Sequence, residues 1–515
     1  MIKLLVSAPG SGHGKTVLTC ALLSALERRG LDPCAFKCGP DYIDPQFHRA
    51  VPGVESRNLD LFLTDGERAR GDSPVTEDMA DANKDRTGSI PSVSRLPARF
   101  DAWSVGHGAA VCEGAMGLYD GLGGVSDRTS AWDIARTLDL PVLLSIRAEG
   151  AALTLAAVLR GLASFRPVVR FAGAVLSRCS PSLCRTLAPV LEREAGIPIL
   201  GCLPPMDAAA LPSRHLGLVT PEEIADLRSR LRALGEALEA NADLDRLLSL
   251  CGGTAASPRS SSGAASSPHN SGGTVSPCGG AEASPCHPGA SQFPIRDGGG
   301  GKRVRIAVAR DEAFCFLYQE TLEVLEAQGA DLAFFSPLRD RALPPGTAGL
   351  YLPGGYPELY GEALSENTAM RRAIGDAVRG GLPAAAEGGG FLYLSAGLRD
   401  AAGMRFPMAD VLPGEGVPAG HLVRFGYAFL CPDTDSLLFR KGERIPVHAF
   451  HHWDSTANGT GFRLEKPLPS RRAWREGYAS PTLYAGFPQL YFAGCPRLAA
   501  RFVDAAVRYG RANQL

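Results

Sequence analysis

Residues 7–17 read SAPGSGHGKTV, directly after the apolar run IKLLV (2–6) and at the start of the amphipathic stretch KTVLTCALLSALERRG (15–30). A strand, a glycine-rich turn and a helix in that order form the setting in which a phosphate-binding loop works. In the loop residues Gly10, Ser11, Gly12, His13 and Gly14, the glycines let backbone N–H groups close around phosphate oxygens. Lys15 supplies a cation and Thr16 a hydroxyl for Mg²⁺, while the helix N-terminus favours the negative charge. The strict G-x-x-x-x-G-K-[ST] spacing would need glycine where Pro9 stands, so this is a variant P-loop. It predicts nucleotide binding.

Beyond that loop the first half continues to alternate. Apolar runs at 33–38, 109–114, 141–146, 171–177 and 197–202 predict strands, with helix-like stretches between them. Continuous apolar strands separated by helices argue a parallel sheet covered on both faces. The second half repeats the pattern, with strands expected at 304–309, 332–337, 349–354 and 382–387 and helices near 318–329 and 368–379. The expected fold class is α/β, as two doubly wound, mainly parallel-sheet domains. Residues 66–96 are polar with little periodicity and read as a disordered surface insertion. A Gly/Ser/Pro-rich stretch over 251–302 reads as a disordered linker between a first domain, 1–250, and a second, 303–515.

Bulk properties narrow the function. At 515 residues the chain exceeds one core, and 45% apolar residues suffice for two. A formal charge of -1 gives no reason to expect nucleic acid or an anionic membrane as partner. No run approaches the roughly 18 apolar residues of a membrane span, and the opening run leads into the loop rather than to a cleavage site. Thirteen scattered cysteines without C-x-x-C pairs read as reduced thiols of a cytoplasmic protein. Cys278, Cys286 and His287 lack a complete ligand set for a metal site.

Two further strings sit at predicted strand ends, where open α/β sheets bind ligands. In FKCGPDYIDPQFH (36–48), Asp41 and Asp44 stand three apart beside Gly39-Pro40. The pair either holds Mg²⁺ or a substrate carboxyl, or merely caps a helix; spacing leaves both readings open. In CEGAMGLYDG (112–121), Glu113 at a strand tip suits a carboxylate that binds a metal or orders water, with a buried structural glutamate as the alternative.

Together with SRNLDLFL (56–63) and LPSRHLGL (211–218), these strings resemble the cobyrinic acid a,c-diamide synthase family, dethiobiotin-synthetase-like P-loop enzymes joined to a class I glutaminase-like domain. The second half carries matching strings at 305–318, 335–360 and 448–453. The resemblance implies a ligase of cobalamin biosynthesis. ATP with Mg²⁺ phosphorylates the a and c carboxylates of cobyrinic acid or a related tetrapyrrole, and ammonia displaces phosphate from each acyl phosphate. It also implies roles. Lys15, Asp41, Asp44 and Glu113 would be catalytic, and Thr16, Asp44 and Glu113 would hold the metal. Arg178 would join the loop at the nucleotide, and Asp41, Tyr42, Asp44, Tyr119 and His215 would meet the tetrapyrrole.

The chain departs from the family at telling positions. The family's glutaminase elbow reads A-E-C-G-G, whereas here it is Ala386-Glu387-Gly388-Gly389-Gly390. Where the family carries its partner histidine, Gln489 stands in Phe487-Pro488-Gln489-Leu490-Tyr491-Phe492. Cys315, Cys495, His448, His451 and His452 do not fall at the elbow. Without the nucleophile, glutamine hydrolysis is expected to be lost, leaving free ammonia or ammonia from a separate glutaminase. Ser177 replaces an asparagine expected to read adenine, and Arg147 an aspartate. The alternatives are a non-enzymatic corrinoid- or nucleotide-binding relative, or the same chemistry on hydrogenobyrinic acid or nickel sirohydrochlorin. A homodimer stays open.

Overall fold

A computed structural model describes residues 1–66, 94–166, 169–206, 211, 213–214, 217–218, 220–252, 303–467, 470 and 472–515. The expected insertion at 66–96 and linker at 251–302 lie almost wholly outside the described residues.

The first half is one parallel sheet of seven strands in the order β3-β2-β4-β1-β5-β6-β7. These are β1 (Ile2–Ser7), β2 (Pro33–Cys38), β3 (Ser56–Leu59), β4 (Ala109–Glu113), β5 (Val142–Arg147), β6 (Phe171–Ser177) and β7 (Ile199–Leu203). Every predicted strand is present within two residues of its expected ends. β3 was not foreseen. Its sequence, SRNL, carries a single apolar residue, and a short strand at the sheet edge needs no apolar run. Helix α1 (Lys15–Arg28) buries Leu18, Leu22, Leu23 and Leu26 against the sheet. Order is reversed around β1, whose neighbours are β4 and β5. The loops leaving β1, β2 and β4 therefore converge at one crevice, the place where doubly wound sheets take ligands.

The second half holds a six-stranded sheet in the order 330–335, 304–309, 349–352, 384–387, 483–486, 478–479. The first five are mutually parallel and the last pairs antiparallel. Two smaller sheets, one mixed and one fully antiparallel, fill residues 395–490 and were not expected. Their strands are short and interrupted by Gly and Pro, as in LPGEGVP (412–418) and IPVHA (445–449), which hides their alternation.

One hydrophobic core runs through both halves, joining Phe36, Phe62 and Val111 to Phe316, Phe429 and Tyr491. No helix among the described residues is long and apolar enough to cross a membrane.

Candidate active site

The P-loop is shaped by two left-handed residues, Gly12 at φ 79° and Gly14 at φ 82°. Side chains with a Cβ disfavour that region. Gly14 is the N-cap of α1, so the helix begins at Lys15 with its first N–H groups facing the loop. The Lys15 ammonium donates to Gly10 O at 2.9 Å. Burial, with the Lys37 ammonium nearby, pulls its pKa down to about 8. A buried cation without a full counter-charge is the state that an anion stabilises.

The loop is fixed from beneath by hydroxyls on the two neighbouring strands. Ser145 of β5 and Ser177 of β6 both donate to His13 O, at 2.7 and 2.9 Å. Ser177 thus has a use unlike the base-reading asparagine it replaces. Arg147 and Arg178 share one carboxylate, Glu149, at 3.0 and 2.9 Å. The charge reversal at Arg147 is balanced locally, and Arg178 is turned to Glu149.

Glu113 ends β4 and is wholly buried. In the parallel register it lies opposite Lys37 of β2. Its Oε1 accepts from Thr16 Oγ1 at 2.6 Å and from Lys37 Nζ at 2.9 Å. Its Oε2 meets His48 Nε2 at 2.7 Å, and His48 Nδ1 meets Ser56 Oγ at 3.0 Å. Burial opposes the carboxylate's charge, but Lys37, His48 and Thr16 outweigh it and hold its pKa far below the usual range. Both Glu113 oxygens are hydrogen-bonded and the side chain is fully buried. A hydroxyl that donates to Glu113 keeps its lone pairs for a cation.

Lys37 also pairs with Asp44 Oδ2 at 2.5 Å. Burial and the neighbouring Asp41 raise the Asp44 carboxyl well above its ordinary value. Burial alone would discharge Lys37, yet Asp44 and Glu113 keep it protonated. Asp44 stays partly exposed, at 14%, and Asp41 is partly exposed beside it. Asp41 Oδ1 accepts from Ile43 N and Asp44 N at 2.9 and 3.0 Å, a turn that leads into α2 (Asp44–Ala50). Sequence reasoning missed Lys37 and His48.

The Tyr42 ring is buried against Phe316 and Tyr318 of the second half, with centroids 5.2 and 4.2 Å away. Tyr119 remains partly exposed, but its hydroxyl donates to Leu162 O at 2.5 Å. His215 lies outside the described residues.

In the second half the elbow keeps its backbone. Gly388 sits at φ 49°, ψ −107° between the strand Ala384–Glu387 and the helix Gly389–Leu394. A Cβ there would meet only Gly354 Cα, at 3.7 Å. The cavity beside it is about 30 Å³ and is lined by Gly388, Phe316, His451, Phe487 and Gln489. Gln489 lies opposite His448 in the antiparallel register, its Oε1 3.5 Å from His448 Nδ1. His451 stacks flat on Phe487, 3.8 Å between centroids. Burial lowers the pKa values of His448 and His451 to about 3 and about 4, so both are neutral near pH 7. The structure brings Gly388 and Gln489 to one cavity, and it contains no thiol.

The CobQ/CobB/MinD/ParA nucleotide binding domain matches residues 4–219, and the CobB/CobQ-like glutamine amidotransferase domain matches residues 305–458. The chain is 34% identical to the cobyrinate a,c-diamide synthase of Listeria monocytogenes, covering 96% of both chains. It is 35% identical to the hydrogenobyrinate a,c-diamide synthase of Thermobifida fusca, over 98% of this chain and 96% of that one. With the cobyrinate a,c-diamide synthase of Salmonella typhimurium it shares 32% over 98% of each.

Proposed function

This chain belongs to the cobyrinate a,c-diamide synthase family, and on that premise we propose that it amidates the a and c carboxylates of a cobyrinate-type tetrapyrrole, in the cytoplasm, using ATP and ammonia. Residues 1–250 form the ligase domain, and 303–515 form a glutaminase-like domain without glutaminase activity. The observation that carries the ligase reading is the buried set in which Glu113 ties Thr16 of the P-loop to Lys37, and Lys37 to Asp44. It links the nucleotide end of the crevice to the end that would receive an acid.

A carboxylate is a poor electrophile because oxide must leave. Transfer of the γ-phosphoryl group converts that oxygen into part of a good leaving group. Catalysis of such a transfer is mostly positioning and charge neutralisation. Lys15 swings from Gly10 O onto the phosphates, and the loop N–H groups hold the remaining oxygens. Thr16, oriented by Glu113, and Asp44 would hold Mg²⁺, which neutralises phosphate charge when bound. Lys37 stays protonated between its two carboxylates and keeps Asp44 aimed at the crevice. Ammonia then adds to the acyl carbon, phosphate departs with the former carboxylate oxygen, and an amide remains.

The acid is of the cobyrinate or hydrogenobyrinate kind named for the relatives. Ammonia is drawn from outside the chain, a reading supported by the thiol-free elbow. Substrate labelled with ¹⁸O in its carboxylates tests the reaction: one label per amide should appear in the released phosphate. Phosphate free of label would exclude an acyl phosphate.

A further inference from the structure

Residues 39–46 carry Asp41 and Asp44, yet most of the stretch is loop, and its fixed points come largely from outside it. We infer that the C-terminal half positions this substrate-facing stretch of the ligase, gripping it at Tyr42 and, through β3, at Asn58. The inference rests on the ligase reading above and gives the second half a task independent of glutamine.

The first grip is apolar. Phe316 lies parallel to the Tyr42 ring, at 8°, and Tyr318 covers it at 4.2 Å. Phe316 is itself braced edge-on by Tyr356, 4.9 Å away. Gln46 Nε2 joins the two halves by donating to Tyr42 O at 2.9 Å and to Cys315 O at 3.0 Å. Phe316 also lines the cavity at Gly388, so the wall of the degenerate elbow is the backing of the ligase loop.

The second grip is a relay of hydrogen bonds. Asn58 Nδ2 donates to Gly39 O at 2.9 Å and to Asp41 O at 2.7 Å. Its backbone is held by the other half: Asn58 N donates to Glu320 Oε1, and Asn58 O accepts from Tyr491 Oη at 3.3 Å. Next along the chain but one, Asp60 accepts from Tyr427 Oη at 2.6 Å. Both grips bear on the loop in which Asp41 accepts from Asp44 N, and Asp44 meets Lys37. The P-loop, by contrast, is held from within its own half by Ser145, Ser177 and Glu113. Loss of the clamp should therefore loosen the acid end of the crevice and leave the nucleotide end in place.

Steady-state kinetics of the full chain with ammonium, MgATP and cobyrinic acid test this. Phe316→Ala should raise KM for cobyrinic acid about tenfold or more, since misplacing a positioning group by about 1 Å can cost 10²-fold, while KM for ATP stays within about twofold. Tyr491→Phe, which removes one hydroxyl, should shift the same constant about threefold. A fall in kcat with both KM values unchanged, tracking the folded fraction, would reduce the contact to a structural interface and overturn the inference. So would unaltered kinetics. Should Phe316→Ala not fold, Tyr491→Phe decides alone. Absence of turnover in the unmodified chain would refute the ligase reading, and the same split in dissociation constants for cobyrinic acid and ATP would then decide the clamp.

Discussion

After β1 the chain turns through Gly12 and Gly14 and presents Lys15 and Thr16 to a crevice. After the strand Ala384–Glu387 it turns through Gly388 and presents only backbone. Both turns depend on positive φ, 79° and 82° in the first and 49° in the second. The first is surrounded by groups that need a charged partner: a cation folded on its own loop, and a Glu–Lys–Asp set beneath it. The second is surrounded by neutral histidines, stacked rings and an amide. Glycine holds such a turn without strain and brings no side chain to it. The two turns differ in the inventory of charges around them.

The contrast predicts unequal sensitivity. Lys15→Ala should lower amidation by about 10³ with any nitrogen source, on the scale of losing one preorganised charge-stabilising group; initial rates of phosphate release measure it. A smaller loss would mean that Lys37 reaches the phosphates instead.

The buried acid at the second elbow should appear as a pH-dependent stability. Burial lifts the Glu387 pKa to about 8, against bonds from Leu490 N and Tyr351 Oη that favour the charge. The folded state then keeps a proton that the unfolded chain releases near 4.5, so stability falls as pH rises from about 4.5 to about 8. Thermal melts across that range should show the fall, and Glu387→Gln should lessen it, leaving the share of Glu320 and Glu476, which burial lifts to about 7. A slope unchanged by the substitution would place the titration elsewhere.

Smaller effects come next. Ser177→Ala removes one of the two hydrogen bonds to His13 O and should raise KM for ATP about fivefold, the equivalent of about 1 kcal/mol. Tyr119→Phe loses one bond to a backbone carbonyl and should act more weakly on the same scale. Smallest of all, Gly388→Cys should leave ammonium-dependent amidation unchanged and confer no use of glutamine, since Gln489 cannot activate a thiol. Glutamate release by that variant would show a hidden base, with His451 and His452 of the cavity wall the candidates.

The sequence made the first half legible where chemistry leaves local signals. The P-loop sits between a strand and a helix, and Glu113 ends an apolar run, so both could be placed before any fold was known. Lys37 could have been found too. It interrupts PCAFKC, a strand buried at every position, and a lysine so placed requires a partner. His48 gives no such signal, because its contact with Glu113 spans 65 positions and depends on how α2 packs. The packing of Tyr42 gives no signal for a related reason: its neighbours in space belong to the other half. Gly388 and Gln489 were readable as departures because they replace specific side chains. The two smaller sheets over 395–490 were not, since Pro and Gly break their alternation.

The decisive measurement is the rate of phosphate release by the full chain with MgATP and cobyrinic acid, supplied with either ammonium or glutamine as nitrogen source. Turnover with ammonium and none above background with glutamine is expected from an intact first loop and an empty second one. Equal turnover with glutamine would contradict that division and require a nucleophile other than residue 388.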